Sequence, residues 1–213
     1  GIGVSVPGFM TRDGIVLAAP LLGWRDVEIV PALQAHFAGP VMVENDANAT
    51  AHGEWHFVPE HRRGDLLAVL LAHGVGCGLV ADGRILRGAH GLAGELGHMI
   101  VDINGSKGAV WESRVGLPAI REDHRHQAED WPTWLAHGLA AATYAYDPET
   151  IVIAGELTER FRQQHEEVAA RLRHLLVPGF PMPNLTTARF GSDSCAIGAA
   201  SLVHARFVER AEA

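Results

Sequence analysis

The chain has 213 residues, with 17 Lys and Arg against 25 Asp and Glu and a formal net charge of −8, a balance that offers no surface for nucleic acid or an anionic membrane. Its 47% hydrophobic and 20% charged residues are those of a globular protein long enough to bury a core. The longest apolar run, Leu66 to Val80, is broken by His73 and three glycines, which excludes a bilayer-spanning helix there.

In chain order, Ile2 to Val6 reads as a strand stopped by Pro7-Gly8. Because no Met or lead-in precedes Gly1, the sequence is expected to start inside a longer protein, trimmed at the front. Thr11-Arg12-Asp13-Gly14 is turn chemistry, followed by a short strand at Ile15–Leu17. Val27 to Phe37 is predicted as a helix with Asp26 as its N-cap. Val41–Val43 forms a buried strand, and Ala47 to Phe57 the next helix.

Asp65 to Ala72 has the composition of a strand buried on both faces. A second strand, Gly78 to Ala81, turns through Asp82-Gly83 into Ile85-Leu86. A His-rich linker, Arg121 to Asp130, precedes a helix from about Pro132 to Tyr146. Ile151–Ile153 is another buried strand, and Leu157, Phe161, Val168, Leu172 and Leu175 share one face of a helix. After a proline-rich loop and the segment Leu185 to Phe190, a small-residue helix runs from Cys195 to the end. Strands alternating with helices, with hairpins mixed in, define an α/β chain with a partly antiparallel sheet.

Three local patterns carry candidate chemistry. The strand at Val41–Val43 ends in Glu44-Asn45-Asp46, with Asn48 beyond. At a strand-to-helix junction Asn45 or Asp46 is a good N-cap, and Asp46 is equally a candidate base. Eight glycines lie between Gly74 and Gly97, around His73-Gly74-Val75-Gly76-Cys77-Gly78. Such density lets backbone N–H groups approach a ligand, often a phosphate, although tight hairpins explain it as well. The spacing matches neither a dinucleotide fingerprint nor a Walker loop. Glu95 and His98, three apart, face the same way on a helical turn; they could grip sugar hydroxyls or a metal, or simply pack at a helix end. Lys107 is the one lysine beside sixteen arginines, so it is the single candidate for Schiff-base or phosphate-loop lysine chemistry. Cys77 and Cys195 read as two reduced thiols of a cytoplasmic protein.

Taken together, GIGVSVPGF, APLLGWRDV, VENDANATAHGE, HGVGCGLVADGRILRGAHGLAGELGHMIVD, DPETIVIAGELTE and AIGAASL resemble the ROK family of bacterial sugar kinases and sugar-responsive repressors, almost end to end. The resemblance implies an actin-like, ribonuclease-H-like α/β fold of two lobes with mixed sheets and an incomplete first lobe. Residues 1–54 would form part of the small lobe, rejoined by the helix 195–211. Residues 55–194 would form the larger lobe, with the surface for a homodimer or higher oligomer. It further implies Gly8, Asn45, Asp46, Glu95, His98 and Glu112 as sugar contacts, with Asp46 matching the kinases' general base. His73, Gly74, Gly76 and Gly155 occupy phosphate-loop positions.

The departures from the kinase pattern point the same way. The first phosphate loop, an Asp-Gly-Gly-Thr type of turn, is not in the chain. His73 stands where kinases place Thr, and Ala154-Gly155-Glu156 puts a carboxylate where a polyphosphate would lie. The zinc loop C-x-C-G-x-x-G-C-x-E is replaced by Asn104 to Glu112 without a cysteine, leaving His98 without the partners of a tetrahedral site. Zinc is therefore expected to be absent, and ATP and Mg would be needed only by a kinase. The expected function is the sugar-effector-binding and oligomerisation region of a ROK-type transcriptional regulator that reaches DNA through a domain outside this chain and has no membrane partner. The alternatives are a divergent or truncated ROK sugar kinase, and a degenerate fold that binds no sugar.

Overall fold

The computed structural model describes residues 1–103, 108–120 and 130–211, the side chains of 209–211 excepted. Its strands begin with β1 (Ile2–Val6), β2 (Phe9–Met10), β3 (Ile15–Ala19), β4 (Trp24–Glu28), β5 (Val41–Asn45) and β6 (Leu66–Leu71). They continue with β7 (Val75–Ala81), β8 (Arg84–Ile85), β9 (Ile100–Asp102), β10 (Ala109–Val110), β11 (Thr150–Ala154) and β12 (Asn184–Thr187). The helices are α1 (Ile29–Gln34), α2 (Asp46–Phe57), α3 (Glu112–Val115), α4 (Trp131–Tyr146), α5 (Thr158–Leu175) and α6 (Ser194–Ala211).

The unbroken apolar run Leu66–Leu71 forms the centre of the fold, because a strand apolar at every position can be satisfied only by cover on both faces. It lies third in a five-stranded mixed sheet of order β12-β11-β6-β7-β8. The pairs of β11 with β12 and β6 are parallel, and those of β7 with β6 and β8 are antiparallel. Side chains alternate between the faces. Leu67, Val69, Leu71, Ile151 and Ile153 join a core with Trp131, Leu135, Leu139, Phe161, Val168 and Leu172 of α4 and α5. Leu66, Ala68, Leu70, Val152 and Ala154 turn the other way, onto Ala47 and Ala51 of α2.

Beyond α2, helix α6 packs against β1 and β5, which pair in parallel from Ile2↔Val41 to Val6↔Asn45. Helices α2 and α6 cross with their backbones touching. A Cβ on Gly53 would lie 2.7 Å from the Gly198 Cα, and one on Gly198 would overlap the carbonyl oxygen of Ala49. This contact explains the small-residue composition of both helices. A third cluster, Val6, Met10, Val16 and Ala19, holds the β2-β3-β4 meander beside β1.

The structure corrects the sequence reading between Val27 and Phe37. Trp24–Glu28 is a strand, paired from Ala19↔Trp24 to Ile15↔Glu28. The helix that follows is shorter, Ile29–Gln34, with Glu28 at its N-cap. Asp26, expected to cap, lies inside the strand at φ 52°. The local pattern suited either element, and the neighbouring strand β3 decided it, because Val27 packs with Val16 on the small core as a strand residue. Strand β7 also begins at Val75 rather than Gly78, since all of Val75–Val80 pairs with β6. Asp82 and Gly83 make the expected hairpin turn, at φ 49° and 74°. Of the linker 121–130, only Asp130 lies among the described residues.

Candidate functional site

Strand β5 delivers its last residue, Asn45, to the point where α2 starts. With φ −60° and ψ 145°, Asn45 is the N-cap. Its Oδ1 accepts from the backbone N–H of Ala47 at 3.0 Å and of Asn48 at 3.1 Å. Its Nδ2 donates to the carbonyl oxygen of Gly8 at 3.1 Å, tying the β1–β2 turn to the helix start. Asp46 is thereby left as the first helical residue, with its side chain on a cleft. Its Oδ1 accepts from the Ala47 N–H at 2.8 Å. Burial nevertheless pushes the carboxyl up to about 6, against the opposing effect of hydrogen bonds from the Ala47 and Asp46 backbone and the Asn45 side chain.

The facing wall comes from the glycine-rich segment. Glu95 immediately precedes a 3-10 turn, Leu96–His98, so the two side chains meet as their spacing predicts. His98 Nε2 lies 3.9 Å from Glu95 Oε2, and its Nδ1 lies 3.6 Å from Glu112 Oε1 at the start of α3. Phe9 closes over His98 with ring centroids 5.8 Å apart. The Glu95 carboxyl is also raised, first by burial; His98 opposes the shift, and the charges of Asp46 and Glu112 add to it. Three carboxylates therefore share one electrostatic neighbourhood.

Together these walls enclose a cleft of about 600 Å³. Gly8, Asn45, Asp46, Glu95, His98 and Glu112 all line it, as do His73, Gly74 and Gly76. Gly155 does not. It stands at φ +91°, where a Cβ would overlap the Leu71 carbonyl oxygen, and its neighbour Glu156 lines the cleft instead. Asn48, noted in the sequence beyond Asp46 but not among the expected sugar contacts, also lines the cleft. It is 3% exposed, donates from Nδ2 to Glu44 Oε1 at 3.1 Å, and leaves its Oδ1 without a hydrogen-bond partner. Its position four residues after Glu44 is what brings the two side chains together.

Among the described residues, no three His, Cys, Asp or Glu side chains converge to hold a metal, and His98 contacts carboxylates rather than thiolates. Of the segment that replaces the zinc loop, Asn104 to Lys107 lie outside the described residues. Among the described residues no Lys or Arg lines the cleft, while Asp46, Glu95, Glu112 and Glu156 do. Carboxylates and amides in this number suit a ligand rich in neutral hydroxyls, each able to donate to one acceptor and accept from another donor.

The model of the ROK family matches residues 1–130 and 121–206. The chain is similar to the xylose repressor of Bacillus subtilis (strain 168), 24% identical over 241 residues that take in 98% of this chain and 62% of the repressor. It thus spans about three-fifths of that relative's length. It is similar as well to the glucokinase of Pyrobaculum calidifontis, 30% identical over 237 residues covering 95% of this chain and 78% of the enzyme. Among solved structures, the ROK hexokinase from Thermus thermophilus superposes with a TM-score of 0.81 at 25% identity, covering 98% of this chain and 80% of the hexokinase.

Proposed function

The chain belongs to the ROK family, with its actin-like mixed α/β fold, and from that premise we propose that it is the sugar-effector-binding and oligomerisation region of a ROK transcriptional regulator. One observation carries the reading: the cleft combines a hydroxyl-binding set of side chains with the lack, among the described residues, of any lining Lys or Arg. Asn45, Asp46, Glu95, His98 and Glu112 line it as a hydroxyl-binding set, and Glu156 and His73, which the family resemblance aligns with the phosphate side, add a carboxylate and an imidazole where a polyphosphate would favour cations. Asp46 then serves as a hydrogen-bond acceptor for a sugar hydroxyl. The sugar acts by binding one arrangement of the protein more tightly than another. The protein works in the cytoplasm as a homodimer or higher oligomer, and DNA is contacted by residues outside this chain, which is itself acidic.

A second reading, a divergent sugar kinase acting on a hexose or N-acetylhexosamine, is favoured by one feature. The Asp46 carboxyl, held at about 6 in a cleft, is poised as a general base for a hydroxyl. Titration calorimetry with hexoses, N-acetylhexosamines and pentoses tests the first reading. It predicts heat with at least one sugar, lost in Asp46→Ala and Glu95→Ala, and no heat with any sugar sinks it. ATP-dependent phosphorylation of a sugar by the full-length protein, lost in Asp46→Ala, would establish the kinase instead.

A further inference from the structure

Glu44, next to last in β5, is only 5% exposed, and every acceptor position of its carboxylate is used. Oε1 accepts from the Asn45 backbone N–H at 3.0 Å and from Asn48 Nδ2 at 3.1 Å. Oε2 accepts twice from Arg87, from Nε at 2.9 Å and from Nη2 at 2.6 Å. A carboxylate buried beside an apolar strand persists as an ion only when it is paired and saturated in this way.

The position of Arg87 gives the pair its interest. It is 43 residues from Glu44 in sequence and stands at the head of the loop 88–95. The Ala93 N–H donates back to its carbonyl oxygen at 3.1 Å, and two residues later Glu95 enters the cleft. The loop has little freedom elsewhere. A Cβ on Gly91 would lie 2.5 Å from the Met10 carbonyl oxygen, and one on Gly94 would overlap that of Cys77. On the other side, Asn45 passes the connection to Gly8 through its own amide. One hydrogen-bonded chain, Arg87 to Glu44 to Asn45 to Gly8, therefore runs behind three walls of the cleft: the loop carrying Glu95, the helix start carrying Asp46, and the β1–β2 turn.

We propose that the Glu44–Arg87 pair is a positioning device for the ligand site, holding the loop 88–95 and its Glu95 at a set separation from Asn45 and Asp46, so that the pair governs sugar affinity. The proposal deepens the sugar-site reading and rests on it. An ion pair with Glu44 buried and Arg87 33% exposed is a poor source of net stability, because solvent screens the one partner and desolvation penalises the other. Its advantage is direction, because two guanidinium nitrogens on one oxygen fix the loop's orientation as well as its distance.

The test uses Arg87→Met and Arg87→Lys in the whole chain, with two readouts. The first needs no ligand: amide hydrogen exchange of Ala93 in the loop and of Leu96 immediately after it, against that of Leu66–Leu71 in the core. The expected result for Arg87→Met is about tenfold faster loop exchange with core exchange unchanged, partly reversed by added methylguanidinium. The second is the dissociation constant for whichever sugar the unaltered protein binds, expected to weaken about tenfold in Arg87→Met, less in Arg87→Lys, and to recover with methylguanidinium. Loop exchange that stays unchanged, or that rises together with core exchange and is not rescued, overturns the proposal. So does an unaltered sugar affinity in Arg87→Met. If the unaltered protein binds no sugar, the sugar-site reading fails on its own, and the exchange experiment still decides whether Arg87 positions the loop.

Discussion

Asn45 and Asp46, adjacent in sequence, perform two tasks that would compete for one side chain. The Asn45 amide closes the first turn of α2 through two backbone N–H groups, and Asp46 presents its carboxyl to the cleft. Asn45→Ala removes the cap and the link to Gly8 together, and is expected to cost about 1–2 kcal/mol of stability by urea denaturation. Asn45→Asp keeps the capping oxygen but cannot donate to the Gly8 carbonyl, so its loss should be the smaller of the two. Equal losses would show that the link to Gly8 outweighs the cap.

The Asp46 carboxyl sets a pH dependence with a definite sign. It holds its proton up to about 6 in the folded protein, against 3.8 as the ordinary value. Between those limits the folded state binds more proton than the unfolded one, so stability falls as pH rises from about 4 to about 6. Above about pH 7 the penalty is complete. Asp46→Asn should therefore stabilise the ligand-free protein by about 1–2 kcal/mol at pH 7.5 and leave it unchanged near pH 4. Denaturant midpoints at the two pH values check this.

Sugar affinity should follow the opposite course over the same window. An ionised Asp46 is the better acceptor for a hydroxyl, so binding is expected to tighten from pH 5 to pH 7 with a midpoint near 6. Calorimetry across that range should show the slope in the unaltered protein and its disappearance in Asp46→Asn.

The contact between α2 and α6 leaves no room for a methyl group. Gly198→Ala would drive a Cβ onto the Ala49 carbonyl oxygen and force the helices apart, at an expected cost of about 3 kcal/mol. Because α2 carries Asn45 and Asp46 at its first turn, sugar affinity should fall as well. Gly179→Ala is the control for added side-chain bulk, since nothing lies within 4 Å of a Cβ there, although its φ of +90° adds backbone strain.

Glu156 supplies a test of the proposal that the cleft takes no polyphosphate. Glu156→Lys exchanges an anion for a cation among the residues that line it, and is expected to confer measurable binding of a non-hydrolysable ATP analogue while changing sugar affinity less than about threefold. Strong nucleotide binding by the unaltered protein would contradict the reading of the cleft as closed to polyphosphate.

Most of the core strands and long helices were legible from local pattern. The unbroken apolar run Leu66–Leu71 required a doubly covered strand, and the spacing of Phe161, Val168 and Leu172 required one buried helical face. Where the local pattern suited two elements, as at Val27, it misled, because pairing with β3 outweighed helical spacing. At the site, the three-residue spacing of Glu95 and His98 announced their contact, whereas Glu44 was visible only as a polar break after a buried strand.

The sequence by itself determined the elements and the chemical types available to the cleft, because hydrophobic period, capping and turn chemistry act over a few residues and need no distant partner. Only the tertiary structure decided that Asn45 caps while Asp46 faces the cleft, and that Arg87 saturates Glu44 from 43 residues away. It also decided that Glu156, rather than Gly155, borders the cleft. A hydrogen bond or an overlap is set by ångström-scale distances between elements, and those distances exist only once the sheet, the crossing of α2 with α6, and the glycine-rich loop have been packed together.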